Sequence, residues 1–285
     1  MNISIVIPVY NEEKSIKEVI GKIKQAMSST SHEYEIIAVN DCSTDKSQQI
    51  LKTIQNIRVI NHPINKGYGS SLKTGIKNAS YEWIVIMDAD GTYPAKSIPK
   101  LINGCENYDL VSGKRTGKNT KIPLLRRPAK FMLTYVANFL VGLKIPDLNC
   151  GLRLFRKSNV EKYLNILPER FSFTTTHLLL CIADNHKIKF VEISYGKRKG
   201  KSTIHPIKDF IRFLIIIFRE GLLINPFKFF TTISILLIII AALLFIIGYF
   251  ALNIILDTTV SIFMMGALQI FLFGMLADLI LRKLK

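Results

Sequence analysis

An α/β head with a mostly parallel sheet, followed by a helical membrane hairpin, is the fold class this sequence predicts. Three observations carry it. Short β-rich runs alternate with segments of helical apolar period over most of the chain. Polar clusters fall at the ends of those runs. From Phe229 to Ile280 the only charged residues are Asp257 and Asp278, although the chain as a whole carries 38 Lys and Arg against 21 Asp and Glu, a formal charge of +17. A chain that is this basic and 49% hydrophobic, with the two properties segregated along its length, is neither disordered nor composed like an ordinary soluble enzyme.

Taken in order, Ile3 to Val9 (Ile-Ser-Ile-Val-Ile-Pro-Val) reads as a buried strand. It is too short for a secretory signal, contains Pro8, and leads into Glu12 and Glu13, so the head is expected to stay on the cytoplasmic side. Glu13 to Met27 places Ile16, Val19, Ile20 and Ile23 at helical spacing. Glu35 to Val39 is a second strand, Ser47 to Ile54 a helix, Ile57 to Ile60 a third strand and Ser70 to Asn78 a helix. Trp83 to Met87 is a further buried strand that ends at a carboxylate pair, and Tyr108 to Ser112 another. Strands separated by helices require crossovers and hence a mostly parallel sheet, with ligands expected at the carboxyl ends of the strands. Pro123 to Val141 reads as a basic amphipathic helix, and Lys187 to Ile193 as one more strand, followed by the basic run Tyr195 to Ser202.

The remainder concerns the membrane. His205 to Leu223 mixes Lys208, Arg212 and Arg219 with Phe210, Phe213, Leu214 and Phe218, the composition of a helix lying in a membrane interface. Phe229 to Leu252 and Thr258 to about Leu281 are each long enough to cross a bilayer, for which about 20 apolar residues suffice. Lys and Arg flank the outer ends of the pair and are absent from the turn, so the head and the C-terminus are both expected in the cytoplasm. The expected organisation is a catalytic domain over 1–203, a juxtamembrane amphipathic region over 204–228 and a hairpin over 229–285. The four cysteines, Cys42, Cys105, Cys150 and Cys181, are widely spaced with no ligand pattern, which fits a reducing compartment and excludes a zinc or disulfide framework.

Chemistry concentrates at the strand ends. Asp88-Ala89-Asp90 precedes Gly91-Thr-Tyr-Pro94. Two carboxylates beside a turn suit a hard divalent cation, Mg²⁺ or Mn²⁺, that keeps positions open for a diphosphate. Tyr10-Asn11-Glu12 and Asn40-Asp41 at the first two strand mouths offer hydrogen bonds to a base and a ribose, while Asp45 equally suits a helix cap. Lys66-Gly67-Tyr-Gly69 either approaches a phosphate at a helix start or simply turns. The glycine fingerprint of a dinucleotide fold is missing after the first strand, which counts against an oxidoreductase. Basic clusters at Lys114-Arg115, Arg126-Arg127, Lys130, Arg153 to Arg156 and Lys197 to Lys201 suit lipid phosphate beside a bilayer, and no nucleic-acid motif competes.

The ordered set Val6-Ile-Pro-Val-Tyr-Asn-Glu12, Asn40-Asp-Cys-Ser-Thr-Asp45, Asn65-Lys-Gly-Tyr-Gly69, Met87-Asp-Ala-Asp-Gly-Thr-Tyr-Pro94, Ser112-Gly-Lys-Arg115, Asp147-Leu-Asn-Cys-Gly-Leu-Arg153, Phe171-Ser-Phe173 and Arg198-Lys-Gly-Lys-Ser202 resembles the family 2 glycosyltransferases. Within them it is similar to the polyprenyl- and dolichyl-phosphate mannose and glucose synthases. The resemblance implies a Rossmann-like GT-A catalytic domain followed by interfacial helices and two transmembrane helices. It implies inverting transfer of a hexose or N-acetylhexosamine from a UDP- or GDP-linked sugar to a polyprenyl phosphate.

Carried over residue by residue, it gives Pro8, Tyr10, Glu12, Asp41, Lys66, Gly67, Asp88, Ala89 and Asp90 to the donor. Asp90, with Asp88, goes to the metal, and Arg115, Arg153 and Arg198 with Asp88 and Asp90 to the catalytic set. Arg115, Arg127, Lys130, Arg153, Arg198, Lys201 and Ser202 go to the acceptor and phosphates, and Asp147 is expected to buttress the Arg153 segment. The chain departs from relatives at Asn40, where an acidic residue is usual, at Thr92, where Gln is frequent, and at Thr174 to Thr176, where many carry a carboxylate.

That last departure has a chemical reading. A sugar hydroxyl needs a general base to become a nucleophile, whereas a phosphate monoester, with its second pKa near 6, arrives largely ionised. The expected partners are therefore a nucleotide sugar, a lipid phosphate and the bilayer, with no nucleic acid and with a homo-oligomer left open. Two other readings remain: a family 2 enzyme acting on a saccharide or lipid-linked hydroxyl, and a non-catalytic membrane scaffold with a transferase-like head.

Overall fold

The computed structural model describes residues 1–116, 127–170, 172–196, 218, 219, 221, 222, 224–251 and 257–284. The chain divides into two compact units, Met1–Lys130 with Lys144–Asp209, and Phe131–Leu143 with Phe210–Lys285.

In the first unit the strands are β1 (Ile3–Val9), β2 (Tyr34–Asn40), β3 (Arg58–Asn61), β4 (Trp83–Ile86), β5 (Leu110–Thr116), β6 (Arg153–Arg156) and β7 (Ile188–Ser194). They form one sheet in the order β3-β2-β1-β4-β6-β5-β7. All pairs are parallel except those of β6, which runs antiparallel between β4 and β5. The expectation of a mostly parallel sheet is met, and β6 is the addition. Its four residues begin and end in arginine, so neither apolar alternation nor a continuous apolar run marks it in the sequence.

The helices α1 (Ile16–Ser28), α2 (Ser47–Lys52) and α3 (Tyr68–Lys77) supply the crossovers among the first four strands. α1 buries Ile16, Val19, Ile20, Ile23 and Met27, one stripe at helical period, while its other positions meet water. β1 is buried along nearly its whole length, as a central parallel strand covered on both faces must be. The core under α1 joins these residues to Ile5, Ile7, Val85, Met87 and Leu101. Because β2 and β4 lie on opposite sides of β1, the crossovers reverse direction there. The carboxyl ends of β1, β2 and β4 therefore border the crevice where open α/β sheets take ligands.

Next come a short turn of 3₁₀ helix (Ala95–Ser97), α4 (Ile98–Ile102), α6 (Lys157–Glu161) and α7 (Phe173–Ala183). α7 buries every residue from Phe173 to Cys181, so it shows no amphipathic period. Its three consecutive threonines give no helical signal either, because β-branched residues lose rotamer freedom in a helix.

α5 (Arg127–Val141) lies inside the basic helix expected over Pro123 to Val141, and from Phe131 it groups with the second unit. That unit is built on α8 (Pro226–Ala251) and α9 (Asp257–Leu284), both long and apolar enough to cross a membrane. α8 starts three residues before the expected span 229–252 and is described to Ala251, and α9 contains the expected span 258–281 and extends it at both ends. The Ser234 hydroxyl donates to the Ala267 carbonyl at 2.8 Å, and Phe227 meets Phe271 edge-on at 5.9 Å. Most other large side chains of the pair stay uncovered by protein, including Leu236, Phe250, Met265 and Phe273. Of the amphipathic segment expected over 204–228, only 218, 219, 221, 222 and 224–228 are among the described residues.

Candidate functional site

The loops after β1 and β2 are stitched together. The Thr44 amide donates to Asn11 Oδ1 at 2.8 Å, and the Asn11 amide to the Ser43 hydroxyl at 3.1 Å. The Glu12 amide donates to the Ser47 hydroxyl at 2.8 Å. Asp45 accepts from the Glu13 amide at 3.1 Å and the Ser47 amide at 2.9 Å. Although burial alone would raise it, those bonds and one from the Ser47 hydroxyl hold the Asp45 carboxyl below its ordinary value. Asp45 thus organises the start of α2 from the position before it, but the N-cap residue is Lys46, so the capping role expected of Asp45 is not the one it has. Tyr10, 47% exposed, presents its ring at the mouth of β1. Pro8 lies within β1, paired in register with Val39.

Asp41 follows β2 and is 3% exposed. Its Oδ1 accepts from the Lys66 amide at 2.9 Å and contacts His62 Nδ1 at 2.7 Å, and its Oδ2 accepts from the Gly67 amide at 2.7 Å. Gly67 has φ +101°, a left-handed conformation that admits glycine without penalty. The next amides of the helix start, Gly69 and Ser70, donate to the carbonyls of Arg170 and Glu169. The Lys66, Gly67 and Gly69 amides of this turn are thus taken up by the protein. The Lys66 side chain itself is exposed.

Beyond β4, Asp88 and Asp90 flank buried Ala89. The Tyr68 hydroxyl donates to Asp88 Oδ1 at 2.8 Å. Burial, and then the neighbouring Asp88 charge, push that phenol well above its ordinary pKa, so it stays a donor. On Asp90, Oδ1 accepts from both the Thr92 hydroxyl, at 2.6 Å, and the Thr92 amide, at 3.0 Å. Thr92 thus orients the carboxylate. Antiparallel β6 completes the surroundings, since its register sets Arg153 opposite Ile86 and so brings Gly151 against Asp88. A Cβ at Gly151 would lie 2.5 Å from Asp88 Oδ2.

No group of three or more His, Cys, Asp or Glu that could hold a metal occurs among the described residues. The donor set of Asp88 and Asp90 nonetheless fits Mg²⁺ or Mn²⁺. Both ligands are hard oxygens, they sit on one turn, and the missing positions are those that diphosphate oxygens and water take.

Two expected arginines part company. Arg115 is held by Asp147 in a fork, Nε to Oδ2 and a terminal nitrogen to Oδ1, both at 2.7 Å, and stacks over the Tyr195 ring at 5.2 Å. Against the opposing effect of burial, Asp147 keeps it charged. Its side chain remains 18% exposed. Arg153 is fully buried; its guanidinium donates to the Leu148 carbonyl at 2.7 Å and to the Thr174 carbonyl, and burial lowers its pKa. It ties the segment after Asp147 to the start of α7, which is a structural task. Asp147, expected to buttress the Arg153 segment, accepts from the Asn149 amide within it at 3.2 Å, but its main partner is Arg115. Arg127 and Lys130 fall in the first turn of α5, and Arg198, Lys201 and Ser202 lie outside the described residues.

A cavity of about 760 Å³ opens beside the carboxylate turn, lined by Val19, Met87, Thr92, Tyr93, Lys96 and Tyr195 among others. It shares Thr92 with the site but contains neither Asp88 nor Asp90. His62 and Tyr68 are the site-building residues that sequence reasoning missed. The available signal for His62 was its position, directly after β3, at the same sheet end as the other polar clusters.

Comparison with known proteins adds the following. The Glycosyl transferase family 2 model matches residues 4–164. Undecaprenyl-phosphate 4-deoxy-4-formamido-L-arabinose transferases of Proteus mirabilis and Yersinia pestis are each 32% identical, over 177 and 191 residues. The matches cover 60% and 62% of this chain, and the chain spans only 53% and 58% of those two proteins. An uncharacterized protein of Methanocaldococcus jannaschii is 28% identical over 227 residues, covering 75% of this chain and 91% of its own length. Among solved structures, glucosyl-3-phosphoglycerate synthase from Mycobacterium tuberculosis, in complex with Mn²⁺ and UDP-glucose, is similar with a TM-score of 0.61 at 18% identity. That match covers 77% of this chain and 79% of the synthase chain, and it bears out the GT-A fold.

Proposed function

This chain belongs to glycosyl transferase family 2, and on that premise we propose that it moves one sugar from a nucleotide diphosphate sugar to a polyprenyl phosphate at the cytoplasmic face of a membrane. The observation that carries the reading is the Asp88–Asp90 turn, oriented by Tyr68 and Thr92 at the carboxyl end of a central strand. The names of the two undecaprenyl-phosphate transferases support the acceptor, and the two apolar helices support the membrane.

The nucleoside takes the crevice at the mouths of β1 and β2, with the Tyr10 ring beside it and Glu12 and Lys66 at its border. The diphosphate lies at Asp88 and Asp90. Asp88 and Asp90 are the residues that would hold a divalent cation, Mg²⁺ or Mn²⁺, which when bound would supply charge neutralisation for the departing nucleoside diphosphate. Arg115, fixed in direction by Asp147, is assigned to the anions, and the family resemblance assigns Arg198, Lys201 and Ser202 to the same task. An oxygen of the ionised lipid phosphate attacks the anomeric carbon from the side opposite the leaving group. The bond from that carbon to the diphosphate breaks, a new carbon–oxygen bond to the lipid phosphate forms, and configuration inverts.

No proton need be removed from such a nucleophile. Buried threonines begin α7, where the family resemblance led us to look for a carboxylate, and this favours the phosphate acceptor over a hydroxyl. Purified enzyme given one donor and equal amounts of undecaprenyl phosphate and undecaprenol tests this directly. Product on the phosphate alone is expected. Product on the alcohol would return the hydroxyl-acceptor reading.

A further inference from the structure

We infer that His62 is a positioning residue of the donor site, acting through Asp41 on the Lys66–Tyr68 turn and, through Tyr68, on Asp88. The inference rests on the nucleotide-sugar reading above and assigns a device within that site.

His62 is 7% exposed and both ring nitrogens are engaged. The Asp41 carboxylate selects the tautomer: Nδ1–H donates to Oδ1 at 2.7 Å, since a carboxylate only accepts, and Nε2 lies 2.9 Å from the Thr74 hydroxyl of α3. The ring is held from behind as well, because the His62 amide donates to the Asn40 carbonyl at 2.9 Å. Asp41 then passes this order on. The same carboxylate receives the Lys66 and Gly67 amides, at 2.9 and 2.7 Å, and its carbonyl receives the Asn65 side-chain amide at 3.3 Å.

The residue after Gly67 is Tyr68, whose hydroxyl reaches Asp88 at 2.8 Å. The path Thr74, His62, Asp41, Gly67, Tyr68, Asp88 therefore runs unbroken from the nucleoside side of the crevice to the carboxylate pair. A buried carboxylate with two amide donors on one side keeps its direction only if its remaining demand for donors is met, and His62 meets it. Without the imidazole, the charged Oδ1 loses a donor and keeps only the Lys66 amide, so Asp41 is held less firmly and the anchor of the turn that aims Tyr68 is weakened. Asp41 thereby acts on the donor indirectly, as a nearly buried organiser of the loop.

The test compares His62→Ala, His62→Asn and His62→Gln in the full-length, detergent-solubilised protein. UDP and GDP, each with Mn²⁺, serve as binding probes by calorimetry, and melting temperature is measured alongside. An Asn side chain places its amide nitrogen near the position of Nδ1, whereas Gln places it near Nε2. For whichever nucleotide the wild type binds, His62→Ala should weaken binding on the order of tenfold, the range for a hydrogen bond to a charged group. His62→Asn should recover most of that loss, and His62→Gln should not.

Tyr68→Phe, made independently, should reduce the enhancement of nucleotide binding by Mn²⁺. With any donor that turns over, His62→Ala should raise the donor KM more than it lowers kcat. Wild-type affinity in His62→Ala would overturn the inference while leaving the nucleotide-sugar reading intact. So would equal losses in the Ala and Asn variants that track melting temperature. Failure of the wild type to bind either nucleotide would overturn both.

Discussion

Arg115 and Arg153 stand in similar short basic motifs, and no feature of either motif tells which faces a ligand. The structure separates them by partner. Arg115 is forked to a carboxylate and partly open, while Arg153 is buried against two carbonyls. Arg115→Ala should lower kcat/KM on the order of a hundredfold, as loss of one anion-stabilising group does, and should also lower the melting temperature, because it leaves the nearly buried Asp147 carboxylate without its fork. Arg153→Ala strands two carbonyls and opens a cavity, so it should cost on the order of 3 kcal/mol of stability, read as a lower melting temperature in detergent. At Asp90, Thr92→Val removes the hydroxyl that orients the carboxylate and should raise the Mn²⁺ concentration for half-maximal activity several-fold. Asp45 carries a sign that can be checked. Its folded pKa lies below the ordinary carboxylate value, so its contribution is complete above that ordinary value and is lost as pH falls through the folded one. Asp45→Asn should therefore melt lower at neutral pH and show a flatter acid limb of melting temperature against pH. Asp88 and Asp90, the proposed metal pair, stand out in the sequence because type and spacing mark them; burial and partner choice, which decide Arg153 and Asp41, depend on segments distant in sequence.

Elements were legible where one period dominates. β1 is a continuous apolar run, α1 an amphipathic stripe, and the ends of α8 and α9 are marked by charge. Two elements of the head were not. β6 is four residues bounded by arginines, and α7 is buried all round behind three threonines, so neither displays a period to read. Both matter to the site, because β6 carries Gly151 to Asp88 and α7 receives Arg153. Gly151→Ala is the sharpest test of that placement. The added Cβ would lie 2.5 Å from Asp88 Oδ2, and the carboxylate must move to admit it. Mn²⁺-dependent nucleotide binding should fall at least tenfold in a protein that still folds, whereas wild-type binding would show that β6 does not define the position of Asp88.

Over the whole molecule, charge and apolar sequence are segregated, and the described residues include a seven-stranded sheet and two helices long and apolar enough to cross a membrane. Lys and Arg beyond both outer helix ends predict a cytoplasmic C-terminus, so a C-terminal green fluorescent protein fusion should fluoresce and an alkaline phosphatase fusion should be inactive. The central claim is the transfer reaction. Detergent-purified protein, Mg²⁺ or Mn²⁺, undecaprenyl phosphate and a panel of UDP- and GDP-sugars should be combined and the lipids read by mass spectrometry. The account predicts one undecaprenyl-phosphate monosaccharide from one donor, abolished by Asp90→Ala. A folded, donor-binding protein that forms no such lipid with any sugar in the panel would contradict it.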